Sequence, residues 1–170
     1  MAVFSKLSTA LRNLLAPRRT NAPRQDKAHP RNAESVTREV DPSTIRDIQI
    51  SYSPFADGRA DAGEIVWTWV PYEEDDGRGK DRPVLVVARA SANRVYAVKL
   101  TSRSHIGDRN YQPIGSGAWD SQRRPSWVDL DQMYSVHDDG LRREASALEP
   151  QRFADVAKSL QRRYGWGIDM

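Results

Sequence analysis

Residues 63–70 read GEIVWTWV, residues 82–87 read RPVLVV and residues 95–102 read VYAVKLTS. In the first run both alternating sets of side chains are largely apolar, which predicts a strand covered on both faces. Pro83 lies at the start of the second run, where a missing N–H group does least damage to a strand. Ala92-Asn93 is typical of a tight hairpin turn into the third run. The three runs therefore predict consecutive strands at the centre of the fold.

The rest of the domain adds strands and one helix to this centre. Residues 102–124 contain several glycines and no clear periodicity, whereas residues 125–137 have the pattern of one or two further strands. Pro150 opens a helix at its favoured first position, and Gly165 is placed to end it. Short strands at regular spacing with one terminal helix predict a mainly β (α+β) domain over residues 61–170, in the form of a small, partly open β-barrel.

The N-terminal part of the chain has a different composition. Residues 1–16 carry apolar side chains at helical spacing, and an amphipathic helix over 3–15 could dock on a membrane surface or a partner. An isolated helix of this length is marginal in water, so a frayed segment is the alternative. Residues 17–60 are predicted to be a disordered basic linker, because the composition of 17–44 cannot bury enough surface to offset the ordering entropy. Within it, Ile45, Ile48, Ile50 and Tyr52 alternate, so a short strand or helix leading into the domain is the alternative for residues 45–56.

Charge is distributed unevenly along the 170 residues. Residues 1–60 carry 10 Lys and Arg against 6 Asp and Glu, whereas residues 61–170 carry 16 against 17. The net charge of +3 therefore belongs to the N-terminal part, and the folded domain need not be a basic body. Bulk charge gives no argument for nucleic-acid binding, because an electrostatic footprint must lie on the binding face. The basic tail could still attract RNA or an anionic membrane.

Composition also excludes several kinds of site. There is no cysteine, so disulfides and thiolate metal sites are excluded. His29, His105 and His137 lie far apart and lack metal-ligand spacing, so neither a metal site nor a cofactor is predicted. No apolar run approaches a membrane span of about 20 residues, and the N-terminus is not a convincing signal peptide. A cytoplasmic protein is therefore expected.

Four motifs along the domain together resemble one protein family. They are Gly63-Glu64-Ile65-Val66-Trp67, Gly79-Lys80-Asp81-Arg82-Pro83-Val84-Leu85-Val86-Val87, Leu100-Thr101-Ser102 and Leu130-Asp131-Gln132. In order and spacing they are similar to the MazF/PemK toxins of type II toxin–antitoxin systems, and in particular to long PemK-like members with an N-terminal extension. The resemblance covers residues 61–166. It implies an SH3-like barrel of the MazF/PemK/CcdB kind that forms a homodimer.

The resemblance also implies an activity and partners. Members of the family are metal-independent endoribonucleases that cleave single-stranded mRNA and inhibit growth. A cognate antitoxin protein neutralises them, and the toxin–antitoxin complex binds operator DNA. A rival interpretation from a different class is a catalytically weak barrel that binds nucleic acid or protein. A second rival is a membrane-associated regulator that acts through residues 3–15.

Residues at the matching positions take their roles from the same resemblance. Arg82 belongs to the family's Arg-Pro motif, and its guanidinium suits phosphate oxygens because it offers two parallel donors. Thr101 would supply a neutral hydrogen bond that holds the phosphate in line for the 2′-hydroxyl. Each residue has a plainer alternative, a surface ion pair with Asp81 or Glu74 for Arg82 and β-propensity alone for Thr101. The candidates for RNA binding are Arg78, Lys80, Ser102, Arg103 and Gln132.

The general base is the least determined part of this site. Some relatives use an Arg and an Asp two residues apart before a Gln; here Asp131 matches that Asp, whereas Asp129 stands in the place of the Arg. Two carboxylates on one strand face could keep a proton between them and supply the base, although they would repel the scissile phosphate. His105, in the loop after Thr101, is the other candidate because histidine titrates near neutral pH.

An acidic loop and two tryptophans leave further alternatives open. The four acids at 73–76 disfavour RNA unless the nearby cations dominate the inner side of the loop, and a solvated loop is the alternative. Trp119 and Trp127 could stack on unpaired bases, as aromatic side chains do in single-strand binders. Core packing is the favoured interpretation for Trp127, which lies within a strand pattern.

Overall fold

The computed structural model describes residues 35–55, 59–72 and 78–169. The predicted amphipathic helix, the linker up to residue 34 and the acidic loop 73–76 lie outside these residues. Within the described ranges, no helix combines the length and the hydropathy that crossing a membrane requires.

The described residues form nine strands and one α-helix, besides two short 3₁₀ turns. The helix, α1, spans Pro150–Tyr164. The strands are β1 (Arg38–Val40), β2 (Gln49–Ser51), β3 (Glu64–Pro71), β4 (Gly79–Ser91), β5 (Arg94–Thr101), β6 (Tyr111–Gly115), β7 (Ser126–His137), β8 (Leu141–Ala147) and β9 (Gly167–Asp169).

Seven strands build one antiparallel sheet in the order β1-β7-β5-β4-β3-β8, and β6 also pairs with β7. The sheet curls until the chain before β1 reaches β3, the strand next to the opposite edge, as the 3.0 Å distance between the hydroxyl oxygens of Thr37 and Thr68 shows. Thr68 also donates to the carbonyl of Gly140 at 3.0 Å, which holds the turn before β8 against the same place. The prediction of a mainly β, partly open barrel with a C-terminal helix is confirmed.

Apolar side chains on the two faces of the sheet form two separate clusters. The larger cluster lies under α1, where Phe153, Val156 and Leu160 are fully buried. β3 contributes Ile65 to this cluster and Val66 to the other, which confirms that both faces of β3 are covered. The smaller cluster contains Ala60, Val66, Val70, Val84, Val86, Val95, Ala97, Tyr134 and Val136.

The helix begins and ends where the sequence predicts. Pro150 occupies its first turn, where the missing N–H has no helical partner to lose. Gly165 has φ +75° and donates its N–H to the carbonyl of Gln161 at 2.8 Å. Side chains other than that of glycine are strained at such a φ, so Gly165 ends α1 and turns the chain into β9.

Part of the predicted linker is folded. The prediction of disorder is wrong for β1, whereas β2 lies within residues 45–56, where a short strand is the predicted alternative. β1 pairs with β7, and β2 pairs in parallel with β9, where Ile50 lies opposite Ile168. Ile48 and Ile50 belong to the larger core, and Ile50 is fully buried. Composition did not reveal β1, because it has only three residues and its partner β7 lies far along the chain.

We expect Ile50→Ala to lower the free energy of unfolding by about 2–5 kcal/mol, the usual cost of emptying a buried isoleucine site. Arg46→Ala is the control, because Arg46 is exposed in the same segment and should shift stability by at most about 0.5 kcal/mol. Urea unfolding followed by tryptophan fluorescence measures both. Equal effects of the two substitutions would show that β2 is not part of the folded core.

Candidate functional site

The candidate site lies where β4 begins, β5 ends and β7 begins. β4 and β5 are antiparallel, with Val84 opposite Lys99, so the start of β4 lies beside the end of β5. Two residues further in the same register, Arg82 comes level with Thr101. Thr101 in turn pairs with Trp127 of β7. Because residues opposite each other share a face of the sheet, the two principal catalytic candidates lie on neighbouring strand ends and on one face.

Arg82 is half-buried on β4 and lies opposite Thr68 of β3. Over the described part of the chain, no hydrogen bond or ion pair engages its guanidinium, and the surface ion pair with Asp81 is not formed. Lys80 lies two residues earlier on the same strand face, exposed and opposite Val70. The start of β4 therefore presents two cations to whatever lies over this face.

Thr101 is the last residue of β5 and is partly buried. Its Oγ1 accepts the backbone N–H of Arg103 at 3.1 Å, which turns the chain sharply away from the strand. A hydroxyl that accepts one bond still has a proton to donate, so Thr101 keeps a donor for a ligand oxygen. Ser102 and Arg103 follow it and are exposed.

A buried carboxylate on β7 holds a lysine beside Thr101. Lys99 Nζ contacts Gln132 Oε1 and lies 3.5 Å from Asp129 Oδ2. The Asp129 side chain is 6% exposed and that of Lys99 is 20% exposed. Asp129 also accepts a hydrogen bond from the Tyr111 side chain, which lies opposite it on β6. Lys99 therefore adds a third cation to the face that carries Arg82 and Lys80.

β7 does not run regularly through the Asp129–Gln132 segment. Val98 of β5 pairs with Met133 of β7, and Leu100 of β5 pairs with Val128 of β7. An advance of two residues along β5 therefore corresponds to five residues along β7. The extra residues send neighbouring side chains to different places.

The irregular segment separates the two aspartates of the motif. Asp131 is 41% exposed, and its carboxylate contacts Arg163 of α1. The Asp129 carboxylate instead has the side chains of Lys99 and Tyr111 as partners, and from Asp131 it accepts only the backbone N–H, at 3.1 Å. The expectation that the two carboxylates act together on one regular strand face is therefore wrong. The extra residues of β7 interrupt the strand at this point, and the two side chains reach different partners.

His105 stacks on Tyr111 at the edge of the candidate site. Their ring centroids are 3.5 Å apart with 15° between the planes. His105 Nδ1 lies 3.7 Å from Asp108 Oδ2, and its side chain is 17% exposed. Tyr111 is bonded to Asp129, so the stack joins His105 to the group that holds Lys99. His105 stays a candidate for proton transfer.

Burial raises the pKa of the Tyr111 phenol above its ordinary value, and the charge and hydrogen bond of Asp129 raise it further. Burial first, and then the neighbouring Asp129 carboxylate, favour the neutral phenol. Tyr111 is therefore a donor at neutral pH, and it fixes the position of Asp129 without sharing its charge.

The same effect predicts how stability responds to alkaline pH. Burial also raises the pKa values of Tyr52 and Tyr164, whose hydroxyls donate to main-chain carbonyls at 2.7 Å. A folded-state pKa above the unfolded value of about 10 means that the folded chain holds these protons more tightly. The resulting stability is fully present below about pH 10 and is lost as pH rises through the folded pKa values.

We therefore expect the free energy of unfolding, measured by urea titration, to fall between about pH 9 and pH 11. Tyr164→Phe keeps the ring and removes one titrating group, so its stability should fall less steeply over that range. A free energy that rises or stays level across the range would contradict the direction of all three shifts.

Two further predictions concern groups outside this cluster. Trp119 and Trp127 are both buried, and Trp119 Nε1 donates to Ser126 Oγ at 3.1 Å. Trp119 packs in the larger core cluster, and Trp127 is 9% exposed, so neither ring offers an open face on which a base could stack. In the ranges that the structure describes, no group of three His, Asp or Glu side chains could hold a metal ion.

A family model described as "PemK-like, MazF-like toxin of type II toxin-antitoxin system" matches residues 61–163. The chain belongs to this family. The match covers the barrel strands β3 to β8 and nearly all of α1. No curated protein sequence matches the chain.

Two solved structures illustrate what the chain is similar to. A MazE–MazF complex from Deinococcus radiodurans (Form-II) is 24% identical, with 62% of this chain and 96% of that chain covered and a TM-score of 0.45. An endoribonuclease in complex with its cognate antitoxin from Mycobacterial species is 17% identical, with 62% and 95% covered and a TM-score of 0.48.

In this PemK/MazF-like chain the structure groups some predicted site residues and separates others. Arg82, Lys80, Thr101 and Gln132 lie around the junction of β4, β5 and β7, whereas Asp131 turns to α1. Arg78 is exposed just before β4, where its carbonyl accepts the N–H of Tyr72 at 3.0 Å.

Sequence reasoning missed two members of the site. Lys99 carried a readable signal, because it is the charged residue that alternates with Ala97 and Thr101 on one face of an otherwise apolar strand. Tyr111 carried none, because β6 contains Pro113 and has only one strand beside it.

Proposed function

We propose that this PemK/MazF-like toxin is a metal-independent endoribonuclease that cleaves single-stranded RNA through the RNA's own 2′-hydroxyl. One observation carries the proposal: the half-buried Arg82 has no anionic partner among the described residues, and extending the β4–β5 register by two residues places it opposite Thr101. A guanidinium kept free of carboxylates beside a neutral donor is suited to a phosphate. Membership of the toxin family supports the same class of activity.

The proposed reaction exchanges one phosphorus–oxygen bond for another. A base removes the proton of the 2′-hydroxyl, and the 2′ oxygen forms a bond to phosphorus. The bond to the 5′ oxygen breaks, and that oxygen takes up a proton. The products are a 2′,3′-cyclic phosphate and a 5′-hydroxyl. The reaction therefore consumes neither a metal-bound water nor any other co-reactant.

Arg82 and Thr101 would stabilise the phosphoryl oxygens as negative charge grows on them. Donors that are already oriented contribute most where charge develops, and proton transfer by a placed side chain adds about 10²–10⁴-fold. Lys99 is our candidate for protonating the leaving 5′ oxygen, because it lies on the same face and is held by Asp129 and Gln132.

Two residues remain candidates for the base. His105 lies at the edge of the site, stacked on Tyr111, and has a ring nitrogen 3.7 Å from Asp108 Oδ2, a carboxylate that can orient the ring. Asp131 would first have to leave its pairing with Arg163. We therefore favour His105 for the removal of the 2′ proton.

The proposal extends to partners and location. RNA on either side of the cleaved bond would contact the candidates around this face: Arg78, Lys80, Ser102, Arg103 and Gln132. We further propose a cytoplasmic homodimer that a cognate antitoxin neutralises by covering the same face, and that binds operator DNA together with the antitoxin. The MazE–MazF complex from Deinococcus radiodurans is a precedent for the antitoxin as a partner.

The test is to incubate the purified full chain with long single-stranded RNA in EDTA, beside the same RNA as a duplex and as its 2′-O-methyl form. We expect cleavage of the single strand alone, because the duplex hides the bond and the methyl group blocks the nucleophile. Binding of RNA without any cleavage would overturn the proposal and select the catalytically weak binding module.

A further inference from the structure

A second basic feature lies beside the candidate site, between α1 and strands β6 and β7. It is a cleft of about 410 Å³ that opens to solvent. Its lining residues are Arg109, Tyr111, Gln112, Leu130, Ser159, Arg162 and Arg163. Three of the seven are arginines, although the domain as a whole is close to neutral.

Hydrogen bonds between α1 and β6 give the cleft a defined shape. Arg162 donates to Ser159 Oγ at 2.9 Å, and Ser159 donates to Gln112 Oε1 at 2.9 Å. Arg163 donates to Asn110 Oδ1 at 3.0 Å. Ser159 is 7% exposed, so the series of hydrogen bonds begins at a buried hydroxyl and ends at guanidinium groups on the rim of the cleft.

The cleft carries an excess of positive charge. Asp131 offsets Arg163, whereas the contact of Arg162 is a neutral hydroxyl. Over residues 35–55, 59–72 and 78–169, no ion pair engages Arg109.

The other carboxylates near these elements do not line the cleft. Asp108 lies beside His105, 3.7 Å from its Nδ1. Asp155 is one helical turn before Ser159 on α1 and is exposed. Two unneutralised guanidinium groups, those of Arg109 and Arg162, therefore remain for an anionic ligand.

The cleft is continuous with the candidate site. Tyr111 lines the cleft and at the same time bonds Asp129, the residue that holds Lys99. The irregular segment of β7 that carries Asp129 also carries Asp131, which contacts the cleft arginine Arg163. A chain that lies over the site could therefore continue across the Tyr111–His105 stack into the cleft.

We propose that this cleft binds backbone phosphates of RNA nucleotides that flank the cleaved bond; the inference rests on the nuclease function proposed above. Arginine fits phosphate oxygens with paired donors, and successive phosphates need no sequence-specific pocket. The apolar part of the lining is mainly Leu130, so a peptide that anchors itself by apolar side chains would find little surface. The charge and the sparse apolar surface both favour phosphate over peptide.

The test measures binding of the full chain to non-cleavable 2′-O-methyl oligonucleotides by fluorescence anisotropy. One oligonucleotide has about 16 nucleotides and reaches beyond the candidate site, and the other has about 4 and does not. The variant is Arg109→Gln combined with Arg162→Gln, and the control is Arg46→Gln, which removes one charge from an exposed position that does not line the cleft.

We expect the double variant to raise the Kd of the long oligonucleotide about tenfold and to leave the short one unchanged. Two lost phosphate contacts should also reduce the slope of log K against log salt by about 1.4. An unchanged Kd for the long oligonucleotide, or equal losses for long and short, would overturn the inference. Loss of binding to a polyglutamate peptide, with RNA binding intact, would also overturn it in favour of an acidic protein.

This outcome is separate from that of the nuclease proposal. If the unmutated chain shows the predicted length dependence but cleaves no RNA, the cleft is supported and the nuclease proposal fails. If it cleaves RNA while the double variant binds as the unmutated chain does, the cleft fails alone. Circular dichroism of the variant confirms that its fold is intact, since both arginines are exposed.

Discussion

Replacing Arg82 by alanine is expected to lower the rate of RNA cleavage about 10²–10³-fold, the usual loss when one oriented donor to a developing oxyanion is removed. The guanidinium is half-buried, free of carboxylates in the described part of the chain, and level with Thr101 on the next strand. Single-turnover cleavage of a long single-stranded RNA measures the effect without interference from product release.

Three controls identify the cause of the loss. Arg82→Lys keeps the charge but not the paired donors, so its rate should lie between those of the unmutated chain and Arg82→Ala. Arg46→Ala, which removes an exposed arginine away from the site, should leave the rate unchanged. Unfolding midpoints must stay level, because Arg82 has no described partner to lose. A cleavage rate for Arg82→Ala within about twofold of the unmutated rate would contradict a catalytic role.

Replacing Asp129 by alanine is expected to lower the free energy of unfolding by about 3 kcal/mol, at the low end of the cost of breaking a buried ion pair. The substitution would leave Lys99 without its carboxylate and the Tyr111 hydroxyl without an acceptor. The low end applies because Lys99 keeps some exposure to water.

Asp131→Ala is the matched control from the same motif. Asp131 is 41% exposed and pairs with Arg163 at the surface, so its loss should cost only about 0–1 kcal/mol. Urea unfolding of both variants measures the two losses of stability and so distinguishes a buried Asp129 from a surface Asp131. Equal losses would show that the aspartates are not separated in the way that the interrupted strand places them.

The features that the sequence predicted correctly are those with strong local signals. The apolar runs of β3, β4 and β5, the hairpin at Ala92-Asn93, and the ends of α1 at Pro150 and Gly165 all depend on residues close together in the chain. Alternation, turn chemistry and capping act over a few residues, so they can be read before the fold is known.

The features that were missed depend on distant partners. β2 has three residues and is stabilised by β9 from the other end of the domain, so the alternation around Ile50 could not distinguish a strand from a helix or a linker. The separation of Asp129 from Asp131 arises from the extra residues of β7 opposite β5. Alternation along one strand does not reveal such an irregularity, because it depends on the pairing with the neighbouring strand. Lys99 acquires its place in the site only when β5 and β7 meet.

The most direct test of the account is to identify the ends of the RNA fragments that the full chain produces in EDTA. We predict 2′,3′-cyclic phosphate and 5′-hydroxyl ends, since the 2′ oxygen is the nucleophile and the residues at the junction of β4, β5 and β7 supply the charge stabilisation. Fragments with 3′-hydroxyl and 5′-phosphate ends, or cleavage that begins only when a divalent metal is added, would contradict it.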